Sequence, residues 1–421
     1  MLATPSPNAV PVAAPASPRV EFQTVAVLAL GFGLVGIDRF LISTLFPVIA
    51  RDLHLSYSDI GVITGALAVA WGLASLVFGV VSDRIGRRIV LTLSMIVFSV
   101  LIGASGLATG LLTLVAARVI MGLADGAFTP ASIIGTLAVS APSRIGRNIG
   151  IQQMMAPLLG LGVAPLFVAF ALRFIDWRYI FLLFPLPGLA LAFALWKIIP
   201  PNAPSAPGPA ATPGRGMADF AVVFRIRNVR IAALLMLCWL TCLVTTLAFM
   251  PNYLLDHLHL SPVQMGGIMS AIGLGATAGT LVLPWLSDKL GRKLVMAGAS
   301  LAVLFSLLLL AHASANVPTL FSFLFLVHFF NFALIALTVG PLCATSVPAA
   351  LMATASGIVI AVGELIGGGL FPVVVGHVAQ RFGIEHLFWP PVFMIGAGFV
   401  LTLGIRSTTP TVFLPRNERK P

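Results

Sequence analysis

The chain is 421 residues long, 59% hydrophobic and only 9% charged, with a mean hydropathy of +1.06. A soluble domain carries about 25% charged residues, so this composition excludes a soluble globular protein and points to lipid as the solvent. The net charge of +11 does not indicate nucleic acid, which requires one continuous basic face; topology accounts for it below.

Residues 1–18 are rich in Pro and Ala and lack the apolar stretch of a signal peptide, so residues 1–21 are expected to form a disordered tail. Twelve apolar runs follow, each near the twenty residues that a helix needs to cross about 30 Å of hydrocarbon. The first six cover 22–49, 59–82, 89–108, 111–140, 148–172 and 178–199. A stretch dense in Pro, Ala and Gly, Pro200 to Gly216, opens a linker over 200–228 that such a composition keeps extended and solvated. The second six cover 230–255, 262–287, 294–313, 318–346, 352–379 and 385–406, with a tail over 407–421. The expected architecture is an all-α membrane protein of twelve transmembrane helices in two six-helix bundles, 22–199 and 229–406.

The two halves repeat one another. Gly79-Val-Val-Ser-Asp83-Arg84-Ile-Gly86-Arg87-Arg88 lies between the second and third runs, and Pro284-Trp-Leu-Ser-Asp288-Lys289-Leu-Gly291-Arg292-Lys293 between the eighth and ninth. The shared SDxxGR core recurs 205 residues apart at the same place in each half, the mark of a duplicated transporter. A glycine turns the short loop and its basic residues anchor it, while Asp83 is positioned to cap a neighbouring helix N-terminus. Such a cluster is suited to gating. With both termini inside, 18 of the 24 Lys and Arg fall in cytoplasmic segments, the positive-inside bias.

Ionisable residues inside the runs are the informative ones, because each costs about 2.5–3.5 kcal/mol at a helix centre and so faces an aqueous cavity or a partner. They are Asp38, Arg39, Arg118, Asp125, His328 and Glu364. Arg39 and Arg118 come out roughly 15 and 10 Å below the same end of their spans at 1.5 Å per residue, so both are candidates to bind an anionic substrate through guanidinium forks. For Arg39 the alternative is a structural ion pair with Asp38 or another acid; for Arg118 it is a scaffold role. Asp125 lies two turns below Arg118 on nearly the same face, where it would neutralise the arginine or couple protons. Asp38, Asp125, Glu364 and His328 are the proton-coupling candidates, Glu364 as an unpaired mid-span carboxylate and His328 for its ordinary titration near neutrality. Trp71 and Asn331, with Thr241, Thr245 and Thr246, are candidates to line the pathway. Cys238, Cys242 and Cys343 all lie in apolar runs as small buried residues, and no metal site is expected.

The loop at 79–88 resembles the major facilitator superfamily signature GxxxDRxGRR, which implies alternating access between two bundles. Gly36-Ile-Asp38-Arg39, Arg118-Val-Ile-Met-Gly122-Leu-Ala-Asp125-Gly126, Asp176-Trp177-Arg178-Tyr-Ile-Phe181 and Phe249-Met-Pro251-Asn-Tyr253 further resemble patterns of the anion:cation symporter family, carriers of organic acids such as sugar acids. Two features depart from it: Glu364 stands where that family leads one to expect asparagine, and the seventh run holds no buried arginine.

No Walker loop, GxSxG elbow or HExxH occurs, so no enzyme activity or cofactor is expected, and transport must draw on an ion gradient or the substrate's own. The leading expectation is proton-coupled uptake of a small organic anion by a monomer in the cell membrane. Proton-coupled export of drugs or metabolites is the alternative, disfavoured by the missing GxxxGPxxGG antiporter pattern. A membrane receptor would need a signalling domain for which the loops leave no room.

Overall fold

In hydrocarbon every backbone N–H and C=O must find its partner within the chain, so uninterrupted apolar runs become helices. The structure, a computed structural model, describes residues 17–200, 222–348 and 351–405, with side chains 76–84, 142, 344 and 353 also outside the description. Twelve spans appear. The first half comprises α1 (Pro18–Leu53), α2 (Tyr57–Ile85), α3 (Arg87–Ser105), α4 (Leu111–Val139), α5 (Ile145–Ala171) and α6 (Trp177–Ile198). The second comprises α7 (Arg227–His257), α8 (Pro262–Leu290), α9 (Arg292–Ala311), α10 (Val317–Leu342), α11 (Thr354–Phe382) and α12 (Ile384–Leu403).

Helix α1 starts at Pro18, four residues before the expected boundary. Ser17 accepts a hydrogen bond from the Val20 N–H and Pro18 occupies the first turn, a start that needs no apolar residue. Residues 222–225 and α7 from Arg227 are already helical, which shortens the expected 200–228 linker at its far end. The two repeated loops shrink to one glycine each. Gly86 at φ +99° joins α2 to α3, and Gly291 at φ +91° joins α8 to α9. Only glycine adopts this backbone readily, so a turn of one residue is available at both matched positions.

The halves meet along two seams. Along α2 and α11, a Cβ on Gly61 would lie 2.3 Å from the Pro372 carbonyl oxygen, and one on Gly65 2.4 Å from that of Gly369. Along α5 and α8, a Cβ on Gly273 would lie 2.1 Å from the Gly162 nitrogen. Small residues let helix backbones approach this closely where lipid supplies no hydrophobic drive. Both α5 and α11, the fifth helix of each half, widen into π-helix over eight residues, Ala156–Val163 and Gly363–Leu370. Single π-turns inside α-helices often mark functional places.

The loops that join α2 to α3 and α8 to α9 lie at one end of the bundle. There Lys293 donates to the Leu403 carbonyl at 2.6 Å, and Arg144 and Asn148 hold Glu21 at 2.6 and 2.7 Å. The hydrogen-bonded Glu21 carboxylate raises Arg144 above the ordinary arginine value. These contacts stay within one half. The hydrogen bonds that cross between halves, among the described residues, run from mid-span to the opposite end. Asp256 of α7 accepts from Arg51 Nη2 at 2.8 Å and from the Tyr57 hydroxyl at 3.1 Å, and the Tyr57 N–H donates to Gln380 Oε1 at 3.0 Å. These bonds close that opposite end.

Candidate functional site

Successive residues of a helix point about 100° apart, and this separates the neighbours Asp38 and Arg39. Asp38 turns into the first half and is fully buried. Arg118 of α4, also fully buried, donates from Nη1 to the Asp38 backbone oxygen at 2.9 Å and reaches its Oδ1 at 3.5 Å. Its Nη2 reaches Ser105 Oγ of α3 at 3.4 Å. The Asp125 carboxyl is buried beside Asp38, and neither of its oxygens finds a donor among the protein's N–H and hydroxyl groups. The expected pairing of Asp125 directly with Arg118 is thus replaced by a chain in which Asp38 stands between them. Two buried carboxyl groups thus lie side by side, with the Arg118 guanidinium reaching one of them.

Arg39 turns the other way, into the seam. Its Nη2 bonds Glu364 Oε2 of α11 at 2.8 Å, with only 12% and 6% of the two side chains exposed. The guanidinium also lies over the Trp71 ring at 3.8 Å from the centroid, a cation–π contact. The acid that pairs with Arg39 is therefore Glu364 from the other half and not the adjacent Asp38. By the same fact, Glu364 is not the unpaired carboxylate that its isolated place in an apolar run suggests.

Arg39, Phe40, Ser43, Thr64, Arg118 and Val244 are among the residues around a cavity of about 20 Å³ at this point, enough for a water molecule. The structure thus gathers Asp38, Arg39, Trp71, Arg118, Asp125 and Glu364 into one mid-span cluster. It leaves His328 and Asn331 apart, inside the second half. His328 Nδ1 lies 3.0 Å from the Leu324 carbonyl and so carries the hydrogen, while Nε2 faces Thr246 Oγ1 at 3.0 Å. Asn331 donates to the Trp239 carbonyl at 3.1 Å. Thr241, Thr245 and Thr246 are all buried, and the three cysteines are buried and free.

Of the loop motif, Gly79, Asp83 and Arg84 fall where side chains are outside the described residues. Arg87 is buried, its stem 3.5 Å from where a Cβ on Gly135 of α4 would be. Its counterpart Arg292 donates to the Pro341 carbonyl of α10, the matching helix, at 2.8 Å and to Thr345 Oγ1, just beyond the end of α10, at 2.9 Å. Arg88 covers the Trp196 ring at 3.8 Å, and Asp288 is exposed. Sequence reasoning missed Ser105 and the closed-end group Arg51, Tyr57, Asp256 and Gln380. Arg51 and Asp256 sit at the ends of runs 205 residues apart, and no periodicity links residues so distant.

Twelve membrane-length helices in two matched halves agree with a family model described as Major Facilitator Superfamily, which matches residues 28–372. The chain belongs to this superfamily. This superfamily member is 27% identical over 274 residues to the hexuronate transporter of Bacillus subtilis (strain 168), covering 62% of this chain and 64% of that protein. The chain therefore spans a little less than two thirds of that relative's length. It is 25% identical over 384 residues to the sialic acid transporter NanX of Escherichia coli (strain K12), covering 89% of this chain and 91% of that one. In fold it is similar to a bacterial homolog of the human lysosomal transporter Spinster in an inward-facing and occupied conformation, with a TM-score of 0.76, 17% identity and coverage of 92% and 97%. At that identity the likeness is one of superfamily fold.

Proposed function

We propose that this superfamily member is a secondary active transporter that takes up an organic anion together with protons by alternating access. The observation that carries the reading is Arg39, a guanidinium at the seam of the two halves that borders the central cavity and bonds a carboxylate there. A site that already accommodates one carboxylate fits a substrate that brings another. Hexuronate and sialic acid, named for two relatives, are both carboxylic acids. Trp71 backs the guanidinium and Arg118 borders the same cavity. Asp38 and Asp125 supply a buried acid pair for proton coupling.

In this reading the bundles 22–199 and 229–406 rock about the glycine seams, and the protein works as a monomer in the cell membrane. The termini and the 200–228 segment face the cytoplasm, consistent with the distribution of Lys and Arg. The closed end then faces outward, and the structure corresponds to an inward-facing arrangement. The transporter draws on the proton gradient and needs no cofactor.

The test is uptake of labelled D-glucuronate and N-acetylneuraminate by the purified full-length protein in liposomes, with and without an inward proton gradient. Concentrative uptake that collapses with the gradient is expected for at least one of the two. Arg39→Ala should abolish binding and Arg39→Lys should leave a weakened remnant, because a point charge cannot reproduce the fork. Uptake indifferent to the gradient, or wild-type affinity in Arg39→Ala, would refute the reading.

A further inference from the structure

Glu364, a proton-coupling candidate by its mid-span place in the sequence, is the partner of Arg39 in the structure, and its surroundings say how the two functions meet. It lies in the π-helical segment Gly363–Leu370, and its Oε2 occupies space that a Cβ on Gly368 would crowd at 2.9 Å. Around it α1 brings Arg39, with Asp38 and then Arg118 and Asp125 of α4 behind. Helix α2 faces it with Gly72, and α7 packs on the same segment with Met236, Leu240 and Val244. Neither α2 nor α7 brings a charged side chain there among the described residues. Arg39 is thus the one cation in contact with Glu364, and Glu364 is the one hydrogen-bond partner of Arg39 among the described residues.

Charge balance follows. Arg39 offsets Glu364, and Arg118 offsets the aspartate pair when that pair shares one proton, since adjacent like charges in a dry site do not both ionise; the cluster is then neutral. A monoanion bound at Arg39 adds one negative charge in a span where an uncompensated charge is expensive. The group that loses its partner at that moment is Glu364. We propose that Glu364 and the substrate carboxylate compete for Arg39, and that Glu364 takes up one proton from the aqueous side when it is displaced. Each bound monocarboxylate then carries a proton on α11, separate from the proton of the Asp38–Asp125 pair. This inference rests on the anion reading above and deepens it. It also limits the substrate to one carboxylate at this point, because Arg118 is committed to Asp38 and Ser105 and leaves a second carboxylate without an exchangeable guanidinium.

The experiment is calorimetric titration of the purified full-length protein with D-glucuronate and N-acetylneuraminate, in buffers of different ionisation enthalpy between pH 5.5 and 8.5. It counts protons taken up per ligand in wild type, Glu364→Gln and Glu364→Asp. Glutamine has the shape of the protonated acid and cannot ionise. Glu364→Gln should bind at least tenfold more tightly at the alkaline end and take up one proton fewer, so its affinity loses a tenfold dependence per pH unit. Glu364→Asp should keep the wild-type proton count even if its affinity changes. A dicarboxylic sugar acid of the same length should bind at least tenfold more weakly than glucuronate to wild type. An unchanged proton count in Glu364→Gln, or a lower count in Glu364→Asp, overturns the inference while leaving the anion reading standing. If neither carboxylate binds wild type or Glu364→Gln, the anion reading itself is overturned, and this inference with it.

Discussion

Asp256 ties the closed end together, and the two contacts it makes across the halves differ in strength. Its ion pair with Arg51 involves a guanidinium side chain that is 69% exposed, and exposed pairs contribute about 0–1 kcal/mol. Its hydrogen bond from the Tyr57 hydroxyl, at 3.1 Å, is half-buried and ends on a charged acceptor, a type that contributes about 1.5–3 kcal/mol. The third contact, from Asn252, stays within α7 and does not join the halves. Asp256→Ala should therefore shift the balance away from the closed end by about 2–3 kcal/mol, roughly 30- to 150-fold. Tyr57→Phe should account for most of that shift, and Arg51→Ala for less than about fivefold. The assay is the labelling rate of a single cysteine placed at Thr64, which borders the central cavity, by an impermeant maleimide added from the closed side. The three native cysteines are buried and are replaced by serine or alanine beforehand. Rates should rise in the order Arg51→Ala, Tyr57→Phe, Asp256→Ala. If Arg51→Ala acts as strongly as Asp256→Ala, or if Asp256→Ala leaves the rate unchanged, the latch is not built as described.

Three further outcomes are expected. Asp125→Asn, which mimics the protonated acid beside Asp38, should retain substrate binding and exchange but lose uphill, proton-driven uptake; accumulation against a gradient by this variant would remove Asp125 from coupling. Gly273→Val would place a side chain 2.1 Å from the Gly162 nitrogen and should widen the α5–α8 seam in spin-label distance measurements, whereas Gly267→Val, with no atom within 4 Å of its added Cβ, should not. Gly291→Ala should lower thermal stability in detergent by about 1 kcal/mol, because its φ of +91° suits glycine alone. Gly298→Ala meets nothing within 4 Å on α9 and serves as the stable control.

The sequence by itself determined whatever depends on local or strictly periodic information. The lengths of the apolar runs set the twelve spans, since hydrocarbon leaves the backbone no other way to satisfy its polar groups. The repeated SDxxGR core revealed the duplication, and its glycines proved to be the positive-φ residues that make both one-residue turns. The mid-span charges also stood out, because each is too costly to be incidental. Only the tertiary structure decided which of these charges meet. Asp38 and Arg39 are adjacent in the chain yet serve different partners, because one residue step rotates a side chain about 100° around the helix. Arg39 and Glu364 are 325 residues apart yet bonded, because the glycine-lined contact of α2 with α11 brings the halves to within reach of one guanidinium. Two other mid-span candidates, His328 and Asn331, fell inside one half for the same reason: depth in the membrane is readable from a sequence, but the face a helix presents to its neighbours is settled only when all twelve pack.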